Sequence, residues 1–225
     1  MRRKLWFAGA AIAVLISTGA SAAVVVVRSL GPSAKAYPPG KTLPETAKIT
    51  LQGGDVVTVI GPGSAKTLRG PGNFDAKQMS LASAAGQRGR FGALRAGEVA
   101  HSPSIWDLDV TQSGKFCVAT PAKLELWRPD SDGAGKITIH SADGKTQDLS
   151  WAAGKASASW PSALPVTTGT EYRIDGPNEG DSGTLSFVSV PSAPNDLVST
   201  AQLLIENGCQ NQLDLLVAGA SKAGN

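Results

Sequence analysis

The sequence feature that most constrains the fold is the density of glycine and proline, which divide the chain into short runs. The chain has 225 residues, of which 26 are Gly and 14 are Pro. Between them lie runs rich in valine, isoleucine and threonine, such as residues 48–51 and 56–60. Runs of four or five such residues between turn-forming residues are typical of β-strands. The pattern predicts a mainly β protein.

The first predicted module covers residues 23–75. It begins with four consecutive valines, Val24 to Val27, a strongly β-prone run. Further short strands are expected at 48–51, 56–60 and 65–68, with Gly- and Pro-rich turns between them. These lengths suggest a small barrel, sandwich or β-roll.

The second predicted module covers residues 101–217 and resembles an antiparallel β-sandwich in its pattern. Asp143-Gly144 provides a good hairpin turn near its middle. Seven short strands with regularly spaced turns favour a sandwich. The candidate strands are Ser104–Val110, Lys115–Ala119, Lys123–Trp127, Lys136–His140, Thr146–Trp151, Glu171–Ile174 and Thr184–Val188.

One helix is predicted at the C-terminal end of this module, over residues 196–208. Asn195 or Asp196 can cap its start, and Gly208 can end it in a left-handed conformation. We expect a last apolar segment at 213–216 and a frayed tail at 218–225. The apolar side chains that fall on one face of this helix are Leu197, Val198, Ala201, Leu204 and Ile205.

Residues 76–100 lack an apolar period and contain much Gly, Ala and Ser, so we expect a flexible basic linker. Arg88, Arg90 and Arg95 give it its charge. The alternative is that these arginines bind an anionic partner, such as lipid headgroups or an acidic glycan.

The N-terminal segment decides the compartment. Arg2, Arg3 and Lys4 precede an apolar run, and Ala20-Ser21-Ala22 supplies an Ala-x-Ala cleavage site. We therefore expect a signal peptide over residues 1–22 and a periplasmic protein. The alternative is an uncleaved inner-membrane anchor reaching residue 27, since residues 5–27 could cross a bilayer. The Ser17-Thr18-Gly19 break favours cleavage.

The two cysteines, Cys117 and Cys209, are then expected to form a structural disulfide. The bridge would close a long loop and contribute about 4–5 kcal/mol in the chain-entropy model. Two free buried thiols are the alternative.

The net charge gives no argument for nucleic acid or an anionic membrane as a partner, and we expect no nucleic-acid binding. The chain has 21 basic and 18 acidic residues, and the three residues in excess all lie in the leader. The mature chain is therefore neutral overall. Its charge is nevertheless uneven, because residues 23–100 carry ten basic and four acidic residues, whereas residues 101–225 carry eight basic and fourteen acidic. The two parts could dock on each other or face different partners.

Residues 24–74 resemble the periplasmic sensory domain of the FecR-like family. The resemblance rests on the valine run, Gly40 followed by Leu43, the Gly54-Asp55 turn, and Gly70-Pro71-Gly72, with apolar spacing between them. It covers about a quarter of the chain and implies an exported, β-rich sensing or interaction module. Signalling members of the family carry a cytoplasmic anti-sigma segment. Only residues 1–4 precede the apolar run here, so we expect no anti-sigma role.

No familiar catalytic or metal-binding pattern is found. The chain lacks a Gly-x-Ser-x-Gly elbow, and its two histidines, His101 and His140, are not clustered. His140 should face solvent. Asp107 and Asp109 share one face of a candidate strand, which is too common a pattern to indicate catalysis. We expect no enzyme, no metal and no cofactor, and interpret the calcium-loop-like Asp130-Ser131-Asp132-Gly133 as a turn.

The mature tryptophans all lie in the second module, where they could stack on sugars or fill the core. They are Trp106, Trp127, Trp151 and Trp160.

The favoured function is a non-enzymatic envelope protein that senses or binds an envelope protein partner. The alternative is a carbohydrate- or peptidoglycan-binding module that uses exposed tryptophans. A cleft that joins His101 to Asp107 or Asp109 would favour an enzyme instead. Buried tryptophans and an unpaired strand edge in the first module would favour docking by strand addition.

Overall fold

The computed structural model describes residues 24–80, 101–120, 123–176 and 182–223. The predicted signal peptide lies outside these residues. So do the linker arginines Arg88, Arg90 and Arg95.

The first module contains two antiparallel sheets. A four-stranded sheet has the order β2-β1-β4-β5, and a two-stranded sheet pairs β3 with β6. A 3-10 turn at Pro32–Lys35 follows β1, and a short helix, α1 (Ala76–Ser80), follows β6. The strands are β1 (Val24–Leu30), β2 (Thr42–Leu43), β3 (Lys48–Leu51), β4 (Val56–Ile60), β5 (Ala65–Arg69) and β6 (Gly72–Asp75).

The second module is a sandwich of a five-stranded sheet, β11-β10-β13-β14-β8, and a three-stranded sheet, β12-β9-β7. The pairs β14–β8 and β7–β9 are parallel, and the other pairs are antiparallel. The strands are β7 (Leu108–Asp109), β8 (Gly114–Ala119), β9 (Glu125–Trp127), β10 (Gly135–Ser141), β11 (Thr146–Trp151), β12 (Ser157–Ser159), β13 (Glu171–Asp175) and β14 (Ser182–Val190).

The mainly β class is confirmed, but the strand predicted at Ser104–Val110 is wrong over most of its length. Only Leu108 and Asp109 are in a strand. The preceding residues turn instead, because the Ser104 hydroxyl accepts a hydrogen bond from the Trp106 N–H at 3.1 Å. The Asp107 N–H donates to the Ser104 carbonyl at 3.2 Å. Serine side chains commonly stabilise such turns.

The C-terminal part forms two helices rather than one, α2 (Leu197–Asn207) and α3 (Gln210–Ala223). The predicted cap is confirmed, since the Asp196 side chain accepts a hydrogen bond from the Ser199 N–H. Gly208 ends α2 with a left-handed φ of 71°. The expected frayed tail at 218–225 is wrong, because α3 continues through Ala223 and Ala220 is buried.

The start of the expected linker is also ordered. Residues 76–80 form α1, in which Ala76 and Met79 are buried against the first module. These two side chains are three residues apart and therefore share one helix face.

The predicted disulfide is confirmed. Cys117 in β8 is bonded to Cys209, which lies between the two helices, with a Cα–Cα distance of 5.8 Å. It ties the corner of the helix pair to the five-stranded sheet.

The helix pair lies between the two modules, in a core that both share. The valine run of β1 alternates between two environments: Val24 and Val26 face the inside of the first module, and Val25 and Val27 face the helices. In β8, Phe116 and Val118 face the sandwich interior, whereas Cys117 and Ala119 face the helices. We call this core, formed mainly by β1, β8, α2 and α3, the shared core. It explains why both strands are apolar at consecutive positions.

Across the described ranges, no helix is long and apolar enough to cross a membrane.

Candidate functional site

A cleft of about 230 Å³ opens between residues 101–112, strand β8 and helix α3. Its apolar lining comes from all three of these elements and from β14. Size, concavity and an apolar lining with a few polar groups are the usual features of a small-ligand site. The apolar lining residues are Ile105, Leu108, Phe116, Leu185, Leu215 and Ala218.

Five residues with ionisable side chains line the same cleft: His101, Asp107, Asp109, Lys115 and Asp214. Asp214 is already in an ion pair with Arg28 of β1. Asp109 accepts hydrogen bonds at Oδ1 from the N–H and the hydroxyl of Thr111, at 2.9 and 2.7 Å. The cleft therefore brings His101, which the sequence places at the edge of the predicted linker, together with Asp107 and Asp109, which it places in a predicted strand.

Among the described residues, Asp107 and Asp109 are in no ion pair, whereas Asp214 is paired with Arg28. Partial burial raises the pKa of Asp107 above its ordinary value, and the negative charge of Glu125 raises it further, while a hydrogen bond with Ser102 opposes both effects. A half-buried carboxyl group with a raised pKa, beside a cleft, is a physically motivated candidate for function.

Gln212 builds the wall where α3 meets β8. Its side chain is 2 % exposed. Oε1 accepts a hydrogen bond from the Cys117 N–H at 2.6 Å, and Nε2 donates to the carbonyls of Cys117 and Ile105 at 3.0 and 2.9 Å. The amide thus pairs with β8 as a neighbouring strand would, and holds residue 105 against it. Gln212 could not be predicted from the sequence, because its only signal is a polar residue next to the apolar segment at 213–216.

The four tryptophans do not form an exposed row. Trp127 and Trp151 are buried in the sandwich, at 6 % and 3 % exposure. Trp106 is half-buried against the shared core. Trp160 packs edge-on against Tyr172 and Phe187, with ring centroids 5.4 and 5.0 Å apart, and its Nε1–H donates to the Leu164 carbonyl.

The second histidine lies far from the cleft in the sheet order. His140 is in β10 on the polar face of the sheet, with Nε2 2.9 Å from Oδ2 of Asp175. It is partly covered rather than fully solvent-facing.

At the acidic turn, Asp130 accepts a hydrogen bond from the Asp132 N–H at 3.0 Å. The described part of the chain contains no group of three or more candidate metal ligands.

The Gly54-Asp55 turn of the first module has a structural role. Asp55 is 1 % exposed and accepts hydrogen bonds from the N–H groups of Ser33, at 2.8 Å, and Gln52, at 2.6 Å. Burial alone would raise the pKa of Asp55, but the hydrogen bonds from Ser33 and Gln52 outweigh it and lower the pKa. The carboxylate joins the loop after β1 to the loop before β4.

Comparisons with family models, with curated proteins and with solved structures find no match to this chain. The fold itself defines the class: a mainly β protein whose two β modules pack on one disulfide-anchored helix pair.

Proposed function

We propose that the protein is exported to the periplasm and acts there as a non-enzymatic sensing or protein-interaction module, in which the cleft binds a small ligand and a strand edge of the first module binds a protein partner. One observation carries this proposal: α3 is shared by the cleft and the first module. Leu215 and Ala218 line the cleft, whereas Leu213, Leu216 and Ala220 of the same helix pack in the shared core.

This arrangement offers a physical route for sensing. A ligand in the cleft would press on α3, whose opposite side contacts strands of the first module. Because protein cores are close-packed, a small shift of one helix must be taken up by its neighbours. The resemblance of residues 24–74 to FecR-like sensory domains agrees with a first module that responds to such a shift.

A substitution that fills the cleft tests this route without a known ligand. Ala218→Trp would place a large ring in the cleft, on the wall that α3 forms. We expect it to change the hydrogen-exchange protection of amides in β1 and β5, because these strands contact the helix pair. The matched control is Glu206→Trp, which adds the same ring to an exposed position of α2. Unchanged exchange in the first module of the Ala218→Trp protein would contradict a sensing role for the cleft.

Export is tested by intact mass after purification from the native envelope. We expect a chain that begins at Ala23, in which Cys117 and Cys209 resist alkylation until they are reduced. A full-length, freely alkylated chain would overturn the periplasmic proposal, and a full-length chain with the bridge intact would indicate an inner-membrane anchor.

Partner docking by strand addition is the form of protein interaction that the edges support. In the described structure β5 pairs only with β4, so its other edge is not covered by a strand. Strand addition to such an edge is a common way of binding an extended segment. Exposed Lys66 and Arg69 on β5 would favour an acidic segment.

The alternative of glycan binding through tryptophan loses support, because Trp127 and Trp151 are buried in the core. An enzyme is the second candidate, since His101, Asp107 and Asp109 line one cleft. It ranks second because, among the described residues, no ion pair joins His101 to either aspartate. A panel of ester, amide and glycoside substrates distinguishes it from a binding module. Turnover that disappears in both the His101→Ala and the Asp107→Asn protein would favour the enzyme over the proposal.

A further inference from the structure

We propose that the cleft binds a small cationic molecule, an ammonium or guanidinium group on an apolar body, with the cation held by Asp107. This inference rests on the proposed function of the cleft as a ligand site, and it names the class of ligand.

The shape and lining of the cleft favour a ligand with a compact apolar body. Its volume of about 230 Å³ suits a compact small molecule rather than a protein segment. The side chains of Phe116 in β8, Leu185 in β14 and Leu215 in α3 offer apolar surface from three different elements. Removing apolar surface from water contributes roughly 25 cal/mol per Å² to binding.

The charges at the cleft favour a ligand with a cationic group. Arg28 already neutralises Asp214. Asp107 has no cationic partner among the described residues, and the nearby Glu125 adds to the negative field around it. A half-buried carboxylate without a counter-ion gains most from a ligand that supplies one.

The second aspartate gives the cation a further acceptor. Asp109 uses Oδ1 for its hydrogen bonds with Thr111, which leaves Oδ2 out of those bonds. An ammonium group has three donors, so it can bond to more than one carboxylate at once. An anionic ligand would instead meet Asp107 and Asp109, the two cleft carboxylates that are in no ion pair among the described residues.

Three probes of similar size and different charge test the inference on the full mature chain: benzylamine, benzyl alcohol and phenylacetate. Binding is followed by amide chemical shifts of Asp107, Phe116, Leu215 and Ala218. We expect saturable shifts with benzylamine, and affinity for benzyl alcohol lower by about tenfold or more, since a hydrogen bond to a charged group is worth about 1.5–3 kcal/mol.

Asp107→Asn should reduce the affinity for benzylamine about tenfold and leave that for benzyl alcohol unchanged. The control is Asp130→Asn, which removes a carboxylate at an exposed turn outside the cleft. Equal affinity for all three probes would contradict the preference for a cationic ligand, and so would an unchanged affinity of the Asp107→Asn protein for benzylamine. In either case the cleft would still be a ligand site. Failure of every probe would overturn the inference. The proposed function would then still be decided separately, by the effect of Ala218→Trp on the first module.

Discussion

Asp55 in the first module and Asp107 in the second are both withdrawn from water, yet their pKa values shift in opposite directions. Asp55 is almost fully buried, and backbone N–H groups of Ser33 and Gln52 bond to both of its oxygens. Asp107 is half-buried, lies near the charge of Glu125, and has a hydrogen bond with Ser102. The first environment stabilises the charged carboxylate and the second penalises it.

The opposite pKa shifts separate a carboxylate that stabilises the fold, Asp55, from one that is available to a ligand, Asp107. Asp55 closes two loops of the first module and is almost fully buried, so it is not open to a ligand. Asp107 borders a cleft in a module whose edge is secured by other means, namely the disulfide and Gln212. Four predictions test this contrast between a self-closed first module and an anchored second module.

Removing the disulfide should have the largest effect. The Cys117→Ala/Cys209→Ala protein is expected to lose about 4–5 kcal/mol of unfolding free energy, because its unfolded chain is no longer constrained by a long loop. Urea denaturation measures this loss. We expect one transition for both modules, since Val25 and Ile60 of the first module share a core with Cys117 and Val190. Two separate transitions, with the first module unaffected, would show that the shared core does not couple them.

Gln212→Leu should cost about 3 kcal/mol. It leaves the N–H and the carbonyl of Cys117 and the carbonyl of Ile105 without their partner, and each buried polar group left unsatisfied costs about 1–3 kcal/mol. The control, Gln210→Leu, changes an exposed residue of the same helix and should stay within about 0.5 kcal/mol of the parent. Equal stability of the two variants in urea denaturation would mean that the amide does not complete the edge of β8.

Gly31→Ala should destabilise the first module by about 2 kcal/mol. Gly31 has a φ of 102°, which a residue with a Cβ adopts at a cost of about 1–3 kcal/mol. An added Cβ would also lie 2.6 Å from Oδ1 of Asp55. Gly53→Ala is the matched control, since nothing lies within 4 Å of its added Cβ. Thermal unfolding that is the same for both variants would contradict the tight closure around Asp55.

The smallest effects, and the most direct test of the contrast, come from pH. The lowered pKa of Asp55 means that its stabilising contribution is complete above the ordinary value of 3.8 and is lost as the pH falls through the lowered pKa. The raised pKa of Asp107 destabilises the folded state, and this penalty appears as the pH rises above 3.8 through the raised pKa.

The two asparagine variants should therefore behave oppositely in urea denaturation between pH 3 and pH 7. Asp55→Asn should be less stable than the parent at pH 7, and the difference should shrink in acid. Asp107→Asn should be more stable than the parent at pH 7 and equal to it near pH 3. Loss of stability at pH 7 in both variants would mean that Asp107, like Asp55, is structural.

Much of the fold could be predicted from the sequence because its signals are local. The β runs between Gly and Pro turns, the Asp196 cap and the Gly208 end of α2 are short-range patterns that the structure confirms. The pairing of Cys117 with Cys209 could also be predicted, because the chain has only two cysteines.

The misses have equally specific causes. Apolar and polar residues alternate within 104–110, which predicts a strand. The Ser104 side chain instead stabilises a turn there. Helix α3 was missed because Leu213, Leu215 and Leu216 alone form a short apolar run, and its helical period is completed only by Ala220. The cleft could not be predicted, since its lining comes from three regions distant in sequence, residues 101–116, 185 and 211–218.

The β class, the main turns, the capped helix and the disulfide follow from the sequence alone, because backbone preferences and a single cysteine pair act without reference to distant residues. Only the tertiary structure decided which side of β1 and β8 faces which core, since four consecutive apolar residues carry no period. The tertiary structure also sets the opposite pKa shifts of Asp55 and Asp107. A carboxyl group takes its pKa from the groups folded around it, and here these include residues distant in sequence, Ser33 for Asp55 and Glu125 for Asp107.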